Sequence, residues 1–207
     1  NKKVKAIVVA CNTASSVAIE ELRKAFNVPV IGMIGPGSKS ALRRTKNKRV
    51  GVIGTRTTIN NGAYSKRLKS YDDSIEIYEK ACPLFVPLAE EGWINHDATY
   101  KIAEEYLSEL REKNIDTLVL GCTHYPILAD VIQEVIGKNV ELIDSGVASA
   151  EVVKEELRKA NLLSDSKVKG RSEFYVSDIP NKFKEIAELF LGEPVNEVHK
   201  IDLEEEE

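Results

Sequence analysis

Two short apolar runs in this 207-residue chain each end in a thiol. Ile7-Val8-Val9-Ala10 leads into Cys11-Asn12-Thr13, and Leu118-Val119-Leu120-Gly121 leads into Cys122-Thr123-His124. Each run reads as a buried strand, and each thiol is followed by hydrogen-bonding side chains and then a helical segment. A thiol ahead of a helix meets main-chain N–H groups and the positive end of the helix dipole, which favour thiolate over a thiol of pKa about 8.5. Asn12, Thr13, Thr123 and His124 carry donors for a carboxylate, and helix starts attract anions. Thr13 equally fits a plain helix cap. His124 can hold a proton or set the charge state of Cys122. Two thiols facing one carbon supply what is needed to take a proton from one face and return it to the other.

The elements that must position these groups alternate strand and helix. Strands are predicted at 5–10, 28–34, 49–53, 74–78, 117–120, 140–143 and 174–176. Helices are predicted at 14–26, around 59–69, and at 97–113, 125–136, 148–160 and 182–191, with a further helix ending at Arg44. Continuous apolar strands between helices indicate an α/β fold with doubly wound parallel sheets. An internal repeat sharpens this. After Cys11 the chain reaches Asn27-Val28-Pro29-Val30-Ile31, and after Cys122 it reaches Asn139-Val140-Glu141-Leu142-Ile143, with Cys-to-Asn spacings of 16 and 17. Each thiol then sits at the carboxyl end of a strand in a βαβ unit, the edge at which open α/β sheets bind ligands.

Composition excludes several classes. The net charge of −4 equals the four terminal glutamates Glu204 to Glu207, leaving 29 basic against 29 acidic residues. That balance provides no phosphate-neutralising excess, so no nucleic-acid partner is expected. The glutamate run reads as a solvated tail. No apolar run approaches the roughly 20 residues that span a bilayer, so no membrane partner is expected. Three cysteines, Cys11, Cys82 and Cys122, are too few and odd in number for a disulfide framework, which points to the cytoplasm. Cys82, ahead of Pro83, reads as structural, and His96 and His199 as ordinary.

Other motifs do not reach the threshold of a site. Gly35-Pro36-Gly37-Ser38-Lys39-Ser40 breaks the phosphate-loop pattern at Ser38 and reads as a loop or hinge before a helix. Gly51-x-x-Gly54-Thr55 lacks the third glycine of a dinucleotide fingerprint, so Thr55 and Thr58 are read as hydroxyls at a strand end. There is no Cys-x-x-Cys and no metal site is predicted.

Cys11-Asn12-Thr13-Ala14-Ser15-Ser16 and Gly121-Cys122-Thr123-His124-Tyr125-Pro126 resemble the two signature motifs of the glutamate racemases, in the aspartate/glutamate racemase superfamily. Gly54-Thr55 and Pro87-Leu88-Ala89-Glu90-Glu91-Gly92 also fit, and the similarity extends over essentially the whole chain. The resemblance implies a cofactor-independent enzyme interconverting L- and D-glutamate, with Cys11 and Cys122 as acid and base. Asn12, Thr13, Thr123 and His124 would bind substrate, Thr55 and Thr58 would contact it, and Glu90 and His124 would support the second thiol. It further implies two similar α/β domains, 1–33 with 147–207 and 34–146, with the active site between them. D-glutamate for bacterial peptidoglycan would be the product, and homodimers a common assembly. The family also carries an N-terminal strand with an Asp-Ser-Gly segment that does not precede Cys11. The first domain is therefore expected to lack about 60 residues, and a chain truly without them is expected not to racemise. Asp144-Ser145-Gly146 repeats the letters but follows the second motif and is no substitute. Alternatives are a racemase or decarboxylase for another small acid, and an α/β binding module or inactive fragment.

Overall fold

The computed structural model describes residues 4–202, and the terminal glutamates lie outside them. The chain divides into two compact units, Asn1–Leu163 and Ser164–Glu207. In the first unit, β1 (Ile7–Val9) pairs in parallel with β2 (Val30–Gly32) through α1 (Asn12–Val17) and α2 (Ile19–Ala25). Helix α3 (Ile34–Arg44) leads into β3 (Arg49–Gly54), α4 (Arg56–Asn60), α5 (Ala63–Tyr71) and β4 (Glu76–Ala81). Next come α6 (Phe85–Glu90), α7 (Asp97–Glu112), β5 (Thr117–Gly121) and a 3-10 turn Tyr125–Leu128. Helix α8 (Ala129–Ile136), β6 (Glu141–Asp144) and α9 (Ser145–Lys159) complete the unit. The second unit is a small βαβ element of β7 (Phe174–Val176), α10 (Pro180–Leu191) and β8 (Val198–Lys200), with β7 and β8 parallel.

The parallel order β4-β3-β5-β6 follows from the sequence pattern. Every residue of Thr117–Gly121 is buried, as expected of a strand covered on both faces. Its side chains alternate between two cores. Leu118 and Leu120 join Phe85, Leu107, Leu128 and Ile132 on the face covered by α6, α7 and α8. Val119 joins Val50, Val52, Tyr64 and Leu68 on the face covered by α3 and α5. The doubly wound architecture is thus realised in the four-stranded sheet.

Several element boundaries differ from the sequence reading, each for a local reason. The helix predicted over 14–26 is two helices meeting at Ala18, because Ser16 Oγ donates to the Thr13 carbonyl at 2.7 Å. Such back-bonding bends a helix. The helix predicted around 59–69 is interrupted at Gly62, whose φ of +58° is left-handed. Gly35-Pro36-Gly37, read as a loop or hinge, lies in the first turns of α3. Proline is tolerated there because the first helical N–H groups need no intrahelical partner. The strand predicted at 74–78 begins later, at Glu76, because Asp72 Oδ1 accepts from the Ser74 N–H at 2.9 Å and holds a turn. Helix α6 and strand β8 were not predicted. Among the described residues, no helix is long and apolar enough to cross a membrane.

The sheet order creates one crevice. The chain leaves β3 for β4 on one side, then returns to β5 on the other, so the connections diverge at the carboxyl ends of β3 and β5. Open α/β sheets bind ligands at such a switch point. The last rung there pairs Gly54 with Gly121. A Cβ on Gly121 would lie 2.5 Å from the Ile53 carbonyl oxygen, which no side-chain movement relieves. Gly121→Ala is expected to destabilise the fold by about 3 kcal/mol. In urea denaturation the midpoint should fall with the slope unchanged.

Candidate active site

Each thiol lies just past the carboxyl end of a parallel strand, Cys11 two residues after β1 and Cys122 one residue after β5. The register that ends at Gly54 and Gly121 sets the next residues, Thr55 and Cys122, on either side of the switch point. Cys11 is itself the cap of α1: its Sγ accepts from the Ala14 N–H at 3.5 Å. Thr13, which could have been the cap, is free for other contacts.

Those contacts gather the threonines. Thr13 Oγ1 lies 2.9 Å from Thr55 Oγ1 and 3.2 Å from Thr58 Oγ1, and the latter two are 3.1 Å apart. Thr55 caps α4 by accepting from the Thr58 N–H. The hydroxyl cluster draws α1 to the end of β3. Asn61 Nδ2 adds a donor to Ser16 Oγ at 3.0 Å, while Ser15 Oγ donates to the Val9 carbonyl at 2.8 Å and accepts from the Met33 N–H at 3.1 Å. The first motif is thereby anchored to β1, to the end of β2 and to α4.

The second thiol has a different setting. Cys122 Sγ stands 3.8 Å from His124 Nδ1, and His124 Nε2 stands 3.2 Å from Glu90 Oε1 at the end of α6. With Nε2–H donating to the carboxylate, Nδ1 is left as an acceptor beside the thiol. Burial pushes the Cys122 thiol up to about 11. The His124 main-chain N–H and the Thr123 hydroxyl pull against that rise, whereas charge on Cys11 and Glu90 adds to it. The expectation that a helix start would favour thiolate is therefore overturned at Cys122. The first helical element after it is a single 3-10 turn beginning at Tyr125, and desolvation outweighs the donors present. Cys11, by contrast, is exposed.

Cys11, Thr13, Thr55 and Thr58 are thus drawn to one edge, and Glu90, Cys122 and His124 form a connected row there; Thr123 sits exposed between the last two. Asn12 is placed otherwise than a simple surface donor. It is 1% exposed, with its amide held by Tyr64 and Ser145. Tyr64 was not singled out by sequence, and Ser145, named only within Asp144-Ser145-Gly146 and set aside as following the second motif, is bonded to Asn12 of the first. Asp144 caps α9, accepting from the Gly146 N–H at 2.7 Å. Cys82 is buried, its thiol pushed up by desolvation, consistent with a structural role. A cavity of about 760 Å³ alongside β2, lined in part by Ser15, Gly35 and Lys66, includes neither thiol in its walls. Side-chain chemistry, rather than void size, marks the site.

Residues 1–153 match the family of Asp/Glu/hydantoin racemases. A glutamate racemase of Geobacter metallireducens is 46% identical over 206 residues, spanning 100% of this chain and 76% of that protein. A crystal structure of a glutamate racemase isoform from Bacillus anthracis superposes with a TM-score of 0.92 at 34% identity, covering 97% of this chain and 74% of the other. A glutamate racemase from Francisella tularensis, solved in complex with D-glutamate, gives a TM-score of 0.90 at 37% identity over 97% and 74% of the two chains.

The difference between the thiols is open to chemical measurement. Iodoacetamide is expected to label exposed Cys11 before Cys122 and Cys82. The Cys122 rate should rise about tenfold per pH unit towards an inflection near 11, because only thiolate reacts. Peptide mass mapping of time points across that range reads both effects. A Cys122 rate that levelled off below pH 8 would contradict the burial argument.

Proposed function

The chain belongs to the Asp/Glu/hydantoin racemase family and is an amino-acid racemase, and from that premise we propose that it interconverts L- and D-glutamate through its two thiols. The observation that carries this reading is that Cys11 and Cys122 each stand just beyond the carboxyl end of a parallel strand, while Thr13 beside Cys11 bonds Thr55 and Thr58 at the end of β3, the strand paired with the one that carries Cys122. In the proposed reaction, one thiol begins as thiolate and the other as thiol. Cys122, pushed up to about 11 by burial, suits the thiol role at neutral pH. Cys11 thiolate removes the α-proton and becomes a thiol, leaving the electron pair on the α-carbon. Cys122 then delivers its proton to the opposite face and becomes a thiolate. Configuration inverts, the protonation states exchange, and no atom is gained or lost.

The surrounding residues suit the charges involved. The hydroxyls of Thr13, Thr55, Thr58 and Thr123 are donors for the substrate carboxylates, whereas Asn12, expected to bind substrate, is buried with its amide engaged by Tyr64 and Ser145. His124, ordered by Glu90, can accept the Cys122 proton or return it, so that the second thiol can also begin as base. The two-domain division, 1–33 with 147–207 and 34–146, rests on the family resemblance; the β1-β2 and β4-β3-β5-β6 sheets are separate, but the compact units run 1–163 and 164–207. A role in supplying D-glutamate to bacterial peptidoglycan, in the cytoplasm and as a homodimer, rests on family membership alone.

Incubation with either glutamate enantiomer in deuterated water, followed by polarimetry and α-deuterium uptake, tests the reaction. Cys11→Ser and Cys122→Ser are each expected to lower racemisation by about 10²- to 10⁴-fold. Turnover preserved in both variants would rule out the two-thiol route. Faster turnover of aspartate than of glutamate would move the enzyme to another substrate.

A further inference from the structure

Four residues from separate elements form one hydrogen-bonded chain beneath the two thiols. Tyr64 Oη, on α5, donates to Asn12 Oδ1 at 2.7 Å. Asn12 Nδ2 lies 3.3 Å from Ser145 Oγ, at the start of α9, and Ser145 Oγ lies 3.3 Å from the Leu120 carbonyl of β5. One hydrogen assignment satisfies the whole series: Tyr64 donates to Asn12, Asn12 to Ser145, and Ser145 to Leu120. Tyr64, Asn12 and Ser145 are 0%, 1% and 3% exposed. The Tyr64 ring also packs beneath Gly121, where a Cβ would stand 3.2 Å from its Cε2. Helix α3 packs tightly over the junction at Gly37. A Cβ there would lie 3.1 Å from Tyr64 Oη and 3.2 Å from Ser145 Cβ.

We propose that Tyr64 and Ser145 are positioning residues for the racemase reaction, tying the main chain at Cys11-Asn12 to the strand end that carries Cys122 and so fixing the separation and aim of the two thiols. This inference rests on the two-thiol reading of the site. Burial holds the Tyr64 phenol well above the usual tyrosine range, so it remains a donor at any working pH, and that fixes which way the Asn12 amide faces. Neither residue exchanges protons with substrate. Their effect is on geometry, where an error of about 1 Å can cost about a hundredfold in rate.

Tyr64→Phe keeps the ring against Gly121 and removes only the hydroxyl, and Ser145→Ala removes the other link. Each is expected to lower kcat for both enantiomers by about 10- to 100-fold with KM shifted less than about threefold. The isotope effect on kcat with α-deuterated glutamate should increase as proton transfer becomes limiting. A merely structural role would reduce the fraction of active enzyme and leave that isotope effect unmoved. Two folded variants, or the single one that folds, with wild-type kcat and isotope effect would overturn the positioning role alone. Absence of turnover in the unmodified protein would overturn both this role and the glutamate reading.

Discussion

The rung between β3 and β5 is the constraint on which the site depends. Gly54 and Gly121 pair there, each facing the other strand without a side chain. A Cβ on Gly54 would be 3.3 Å from the Gly121 carbonyl, and one on Gly121 would be 2.5 Å from the Ile53 carbonyl. Larger residues would splay the two strand ends, and those ends carry Thr55 and Cys122. Because the chain turns away in opposite directions after β3 and β5, the same rung also opens the crevice. Close backbone approach and ligand access therefore have one origin.

Around that rung the two thiols occupy unlike environments despite their related βαβ settings. Cys11 caps its own short helix and is exposed, whereas Cys122 is buried against α6 and the 3-10 turn. Desolvation disfavours charge on the inner thiol, and the donors from Thr123 and His124 only partly offset it. The His124–Glu90 pair lies on the side of Cys122 alone. Within the architecture, similar topology thus provides two different local environments.

The links between the two motifs are polar and mostly buried. Threonine hydroxyls join α1 to the end of β3, and the Tyr64-Asn12-Ser145 series joins α1 to the end of β5. An unpaired polar group in such a place costs about 1–3 kcal/mol, so each member holds its neighbours to a narrow set of orientations. Apolar packing could bring the same elements together, but it is tolerant of small rotations. Hydrogen bonds at fixed angles are not.

Much of this was legible in the chain before any coordinates. The apolar runs ending at Cys11 and Cys122, their similar spacing to the next strand and the hydroxyl residues after each thiol determined a parallel α/β fold with two comparable strand ends, because strand burial and helix initiation are local and repetitive. The resemblance carried by those motifs directed attention to Glu90 and His124, and the structure places them in contact. Tyr64 was hidden, since a buried tyrosine on a helix looks like ordinary core, and Ser145 was visible only as part of Asp144-Ser145-Gly146, whose place after the second motif gave no sign of its bond to Asn12. Gly35-Pro36-Gly37 carries turn-forming residues yet begins α3, because proline is tolerated where the first helical N–H groups need no intrahelical partner. The protonation state of Cys122 likewise belonged to the tertiary structure alone. Local sequence places donors near the thiol, but the burial that outweighs them needs α6, distant in the chain, packed beside the adjacent 3-10 turn by folding.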